Sequence, residues 1–406
     1  MLSFESPAMY EVVQSMAAGL CTGRGRHDGI YRLAIKAPKE FLLAAKMNGG
    51  FKIYVLPLIV DGQNTIGLTS AFFDDEDEPL CIRTPLFDEP LSYDLRAVIL
   101  SEKAFVHLFD DNDRELLGYE VAIRCSDATK ARLLSANFPP FDLDHAREVS
   151  EQLQSMFGLR TEKEDAEAAE VSFLRPLFPE DRVLIDMRPD LHAFHGSQPF
   201  SATQLVREIQ PGMYQELDII RLLHRIFSPE QIYYSPKRPE DKKELVDILV
   251  LTSTRALFLQ AKDSEHTEAI LRNPLGRKRK VALSSLTKAV DQVKGAVRWA
   301  RMKNPSTVLV GGAEVTVDLT GHDVYGMTVV KELFTDQYKE YSEIVLPAAK
   351  AMGVPCVPMD YSEFIDFAHH AGDEDFFFGV LDTLANKATE IGECPRSRFG
   401  LVHPEE

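Results

Sequence analysis

The sequence predicts an α/β protein in two parts: a mixed, strand-rich N-terminal domain and a C-terminal half in which strands alternate with helices. Three observations predict it. The chain has 406 residues, more than one compact domain usually holds. Its first third carries apolar runs of strand length, the strongest being 51–60 (FKIYVLPLIV). From about residue 200 the rhythm changes to amphipathic helical spacing interleaved with short apolar runs, the pattern of an α/β core. The expected division is 1–140 for the strand-rich accessory domain, 141–195 for a helical connector and 196–406 for the core domain.

The elements follow in order. The run 51–60 ends at Asp61-Gly62, a turn signal. Segments 104–109 and 116–123 flank Asp110-Asp111-Asn112-Asp113 and read as a hairpin, while the acidic run 73–78 reads as an exposed loop. Residues 142–157 have helical spacing, with Leu143, Val149, Leu153 and Phe157 as apolar anchors. The charged, alanine-rich 162–170 suits a solvated helix or linker, and Pro176, Pro179 and Pro189 mark a domain junction. Residues 201–209 read as a short helix and 213–227 as a strong amphipathic one. Two strand-like runs, 244–251 and 256–262, precede a basic segment at 271–280 and a long helix at 284–302. Strands at 307–310, 325–330 and 354–359 and a helix at 336–352 complete the domain.

Composition narrows the class. Apolar and charged fractions, 45% and 27%, are those of an ordinary globular protein. No apolar run is long enough to cross a membrane, and the acidic N-terminus lacks the basic start of a signal peptide. The five cysteines are scattered without CxxC pairing, which speaks against a zinc site and a disulfide framework; a reduced, cytoplasmic protein is expected. The net charge of −18 opposes contact with phosphate backbones unless a local basic face provides it.

The chemistry concentrates in 244–263, ELVDILVLTSTRALFLQAKD. It reads as two strands joined by a tight turn centred between Ser253 and Thr254. A symmetric hairpin about that centre sets Asp247 opposite Gln260, with Cβ atoms roughly 5 Å apart. Side chains alternate along a strand, so Gln260 and Lys262 share a face and Asp247 joins them there. The neighbours of Asp247 and Gln260 are apolar, as in a strand buried on both sides. A carboxylate in that setting is costly unless paired, hydrogen-bonded or bound to a metal.

Asp247 followed by Gln260-Ala261-Lys262 resembles the PD-(D/E)XK nucleases, in the branch where the (D/E)XK step reads QXK, as in restriction enzymes of the Mrr type. Val246 stands where the common pattern has proline. The resemblance spans about 200–380. It implies a restriction-endonuclease-like αβββαβ core, binding of Mg²⁺ or Mn²⁺ and hydrolysis of nucleic-acid phosphodiester bonds. DNA is the expected substrate, in restriction or defence. It further implies that Asp247 binds the cation, that Gln260 and the carbonyl of Ala261 help to position it, and that Lys262 orients the attacking water. An acidic residue from the preceding helix often joins such a site. Glu216 fits that place, Asp218 faces about 160° away, and Glu244 is a weaker candidate. Lys288 and Gln292, four apart on the long helix, are candidate phosphate contacts. So are Arg277, Lys278, Arg279 and Lys280, which with Arg272 place five cations in nine residues of an expected loop.

Blander readings stand beside these. Asp247, Gln260 and Lys262 could be an internal ion pair of a hairpin, Glu216 a solvated helix residue and the basic segment a solvated loop. The histidines, among them His192, His195, His322, His369 and His370, supply no second metal-ligand pair at good spacing. Residues 310–313 (VGGA) lack the lysine of a P-loop and read as a turn, and Phe376, Phe377 and Phe378 read as packing residues. Two further classes remain open: a catalytically silent nuclease fold used for binding or scaffolding, and an RNA-processing nuclease. The N-terminal domain would serve recognition, regulation, or assembly with a protein partner or a second copy.

Overall fold

The computed structural model describes residues 1–16, 18–25, 28–157, 161–197, 201–208 and 211–397. The chain divides into two compact units. The first is Met1–Arg182 with Gln204–Val206 and His266–Arg272; the second takes Val183–Thr203, Arg207–Glu265 and Asn273 onward.

The first unit is built on one sheet. After α1 (Leu2–Glu5) and α2 (Pro7–Ser15) come β1 (Gly19–Arg24), β2 (Tyr31–Lys36), α3 (Lys39–Met47), β3 (Gly50–Val60), β4 (Gln63–Phe72) and β5 (Leu80–Pro85). Then follow α4 (Pro90–Leu100), β6 (Lys103–Phe109), β7 (Glu115–Arg124), α5 (Asp127–Ser135), α6 (Leu143–Phe157), α7 (Glu162–Glu167) and β8 (Ala169–Pro176). The eight strands run in the order β1-β2-β6-β7-β8-β3-β4-β5, antiparallel except for β2 beside β6. The β3–β4 turn is as expected: Asp61 and Gly62 both have positive φ, 50° and 72°, which a two-residue hairpin loop of matching twist requires. The 110–113 hairpin and the 73–78 loop also form.

The expected connector at 141–195 is not a separate element. α6 packs Val149 and Leu153 against Tyr54, Leu56 and Leu58 of β3, and β8 lies between β7 and β3 inside the sheet. The first unit therefore runs to Arg182, where the proline-marked junction falls. Helical spacing shows which face of 143–157 is apolar, but not that the face has a sheet to cover. Leu143 stays 39% exposed and is no anchor.

The second unit begins with a small antiparallel pair, β9 (Leu184–Asp186) and β10 (Ser201–Thr203). This overturns the helix expected at 201–209; the segment is too short to hold a helix unaided, and β9 offers it a ladder. Ile209 lies outside the described residues. Next come α8 (Pro211–Leu223), β11 (Ile232–Tyr234), β12 (Ile248–Leu251) and β13 (Arg255–Lys262). The short α9 (Glu268–Leu271) belongs to the first unit, where it meets α3. Then follow α10 (Leu275–Met302), a hairpin of β14 (Ser306–Val310) and β15 (Ala313–Val317), β16 (Asp323–Val330), α11 (Tyr338–Met352), β17 (Cys356–Asp360), α12 (Tyr361–His370) and α13 (Glu374–Ile391). Residues 310–313 make the β14–β15 turn, with positive φ at Gly311 and Gly312.

The main sheet of this unit has the order β11-β12-β13-β16-β17. Its first three strands are antiparallel, whereas β16 and β17 run parallel to β13. The chain thus follows helix, three antiparallel strands, crossover helix, parallel strand. One face carries Ile248, Val250, Leu257 and Leu259 against α8, α12 and the Phe377–Phe378 pair of α13. The other carries Leu249, Ala256 and Phe258 against Leu286, Val290, Val293 and Val297 of α10 and Tyr341 and Val345 of α11. Phe377 and Phe378 are core as expected, but Phe376 is 46% exposed. No described helix is long and apolar enough to cross a membrane.

Candidate functional site

The hairpin of β12 and β13 has the register read from the sequence. Ile248 pairs with Leu259 and Leu251 with Ala256, around a turn closed by Thr252 N–H donating to Arg255 O at 2.9 Å. Continued by one residue, that ladder sets Asp247 against Gln260. Asp247 is 3% exposed and its Oδ2 accepts the Ala261 N–H at 2.8 Å. Gln260, on the α10 side of β13 like Phe258, is 1% exposed, and neither of its amide atoms has a hydrogen-bond partner. Lys262, two residues on, shares that face and acts electrostatically on Asp247.

Two glutamates join them. Glu216 is held on α8 by the burial of Leu217, Ile219 and Ile220, and its Oε2 accepts the Tyr234 hydroxyl at 2.9 Å. Tyr234 comes from β11, whose pairing with β12 brings it beside Ile248. Glu244 lies at the solvent edge, yet its carboxyl turns toward Asp247 and Ser235.

The electrostatics are those of crowded carboxyls. Burial, then repulsion from Asp247, pushes the Glu216 carboxyl up to about 7, against the Tyr234 hydrogen bond and Lys262. Lost hydration and the same Asp247 charge push Glu244 up to about 7. Burial raises Asp247 too, opposed by Lys262, the Ala261 N–H and the nearby Gln260 amide, although amide and carboxylate make no well-formed hydrogen bond. Three carboxyls thus converge with Lys262 as the cation that stabilises each of them.

Among the described residues, no three His, Cys, Asp or Glu side chains form a ready metal cage. The donor chemistry nevertheless suits a hard divalent cation, which takes carboxylate and carbonyl oxygens and retains water. Asp247, Glu216, the Gln260 amide oxygen and the Ala261 carbonyl are such donors. The unpartnered Gln260 amide oxygen and the excess of carboxyls both suit a positive group.

The structure does not bring every candidate here. α10 begins at Leu275, nine residues before the expected start, so Arg277, Lys278, Arg279 and Lys280 lie in its first turns and not in a loop. Pro274 starts it, its carbonyl accepting the Arg277 N–H at 2.8 Å. Arg279 pairs with Asp336 at 2.6 Å, whereas Arg277 and Lys280 are exposed. Lys288 and Gln292 are exposed on α10 and face away from the sheet that carries Asp247. Asp218, expected to point away from Glu216, is buried and accepts the Tyr361 hydroxyl at 3.1 Å. The histidines serve locally: His195 stacks on Tyr233 at 4.3 Å, and His322 Nε2 lies 3.0 Å from Thr252 O.

Sequence reasoning missed Tyr234 and underweighted Glu244. β11 has three residues, too few for a strand pattern to show. The acidic spacing of Glu244 and Asp247, three apart just before an apolar run, was the available signal for the other. No known family model and no curated protein matches this sequence.

Proposed function

We propose that the second unit is a metal-dependent phosphodiesterase of the PD-(D/E)XK kind, acting on nucleic acid and on DNA before RNA. The observation that carries the proposal is the β12–β13 register. Continued by one residue, it sets Asp247 against Gln260, two residues before Lys262, with the Glu216 carboxyl within electrostatic reach. The chain order of helix, three antiparallel strands, helix and parallel strand supports the same reading.

In this reading Asp247, Glu216, the Gln260 amide and the Ala261 carbonyl hold Mg²⁺ or Mn²⁺. When bound, such a cation would supply Lewis acidity, polarising a phosphoryl oxygen and acidifying water. The Lys262 ammonium orients the attacking water and donates to the phosphate oxygen as charge grows there. Water adds across the P–O bond, leaving a phosphate monoester and a hydroxyl. Burial excludes bulk water from the Asp247 side of the site and strengthens each of these interactions.

The test is a cleavage panel of duplex DNA, single strands and structured RNA with Mg²⁺ or Mn²⁺, against EDTA controls. Metal-dependent cleavage that Asp247→Asn abolishes is the expected result. No cleavage of any substrate, with binding retained, would favour a catalytically silent scaffold. Preference for structured RNA would move the assignment to RNA processing.

A further inference from the structure

Gln260 and Thr328 face each other across the parallel ladder of β13 and β16. Registered residues on neighbouring strands point to the same face, with backbones about 4.8 Å apart. Both are buried, at 1% and 0% exposure. The Gln260 Oε1 and Nε2 and the Thr328 Oγ1 all lack hydrogen-bond partners. Around them the face is apolar: Phe258 and Val330 on the same strands, and Leu286 and Val290 of α10. Native cores seldom leave buried polar atoms unpaired. A valine in place of Thr328 would fill the same volume without stranding a hydroxyl.

A carboxamide has two ends. Its N–H end suits the bare Asp247 carboxylate; its oxygen suits a cation held there. Turning the oxygen toward Asp247 turns the nitrogen toward the neighbouring strand, where Thr328 stands with a free lone pair. We infer that Thr328 is a positioning residue, whose hydroxyl accepts from the Gln260 amide nitrogen and so fixes Oε1 toward the cation at Asp247. The inference rests on the metal-site reading and extends it to a residue 68 positions after Gln260 in the chain.

The experiment is Mn²⁺ titration of the full chain by calorimetry and electron paramagnetic resonance, with melting temperatures in EDTA. Wild type, Thr328→Val, Thr328→Ser and Asp247→Asn are compared. Thr328→Val should melt in EDTA at or above the wild-type temperature, because it removes a stranded hydroxyl. Its Mn²⁺ affinity should fall about 10–100-fold, the usual loss when a ligand's orienting partner is removed. Thr328→Ser should restore it. Wild-type Mn²⁺ affinity in Thr328→Val would overturn the inference and leave the metal site standing. So would a lowered melting temperature in EDTA with no rescue by serine. Wild-type protein that binds Mn²⁺ no better than Asp247→Asn would overturn both readings.

Discussion

Asp247 is a carboxyl that the fold keeps almost dry, with one N–H, one amide and one ammonium to answer its charge. Removing that charge tests the chemistry directly. Asp247→Asn and Lys262→Ala should each reduce cleavage by about 100-fold or more, measured at saturating Mg²⁺, while circular dichroism stays unchanged. The glutamates make a second prediction, for the metal-free protein. Glu216 and Glu244 have folded-state pKa values raised from 4.5 to about 7. A carboxyl raised in this way stabilises the fold in its protonated form. That contribution is complete below about pH 4.5 and is lost as the pH rises through 7. In EDTA, urea-unfolding stability should therefore fall between pH 5 and pH 8, and Glu216→Gln should flatten the fall. A wild-type profile that rises over this range would contradict the crowding of carboxyls. The Asp247–Gln260–Lys262 part of the site could be read from sequence because one tight turn and a two-residue period determine it. Tyr234 could not, because its three-residue strand is too short to show a pattern, nor could Thr328, because its place depends on which strands become neighbours far along the chain.

Elements show where local pattern ends and packing decides. The start of α10 was hidden because Arg277–Lys280 carry no apolar periodicity and sit at the positive end of the helix dipole, where cations are disfavoured. Helix continues there because Pro274 starts it and the buried stripe from Leu286 onward anchors it. Replacing Arg277 and Lys280 by alanine should therefore leave stability unchanged or raise it by about 0.3–1 kcal/mol. If they grip phosphates, the same double variant should weaken nucleic-acid binding and reduce the salt dependence of log K by about 0.9 per lost contact. Fluorescence anisotropy at three salt concentrations reads both effects. The β13–α10–β16 crossover depends on a close approach at Gly326, where an added Cβ would lie 2.8 Å from Val293 Cγ1 and 3.3 Å from Cys356 Sγ. Gly326→Ala should destabilise the second unit by about 1–3 kcal/mol through overpacking, seen as a lower urea midpoint at unchanged m-value.

At the scale of the whole molecule, the two units were legible as two compositions, but their membership was not. Residues 204–206 and 266–272 belong to the first unit although they lie inside the span expected for the core domain. In that unit α9 packs on α3, and His266 Nε2 lies 3.2 Å from Lys39 O. A fragment ending at Arg182 lacks α9 and should expose part of α3. We expect it to melt lower than the same unit in the full chain and to bind more of a hydrophobic dye. The −18 net charge keeps its meaning as a general repulsion of polyanions.

β8 carries a consequence of another kind. It is the last strand of its sheet in the chain, at Ala169–Pro176, yet it lies between β7 and β3 near the middle of the strand order. During synthesis the ribosome delivers β1–β7 well before it. Until residue 176 has left the exit tunnel, the facing edges of β3 and β7 have no partner, and unpaired edges are where chains stick to one another. The first unit is thus committed to late closure. Its nascent chain should depend on chaperones, or on a slow rate of elongation, for longer than its size alone would require.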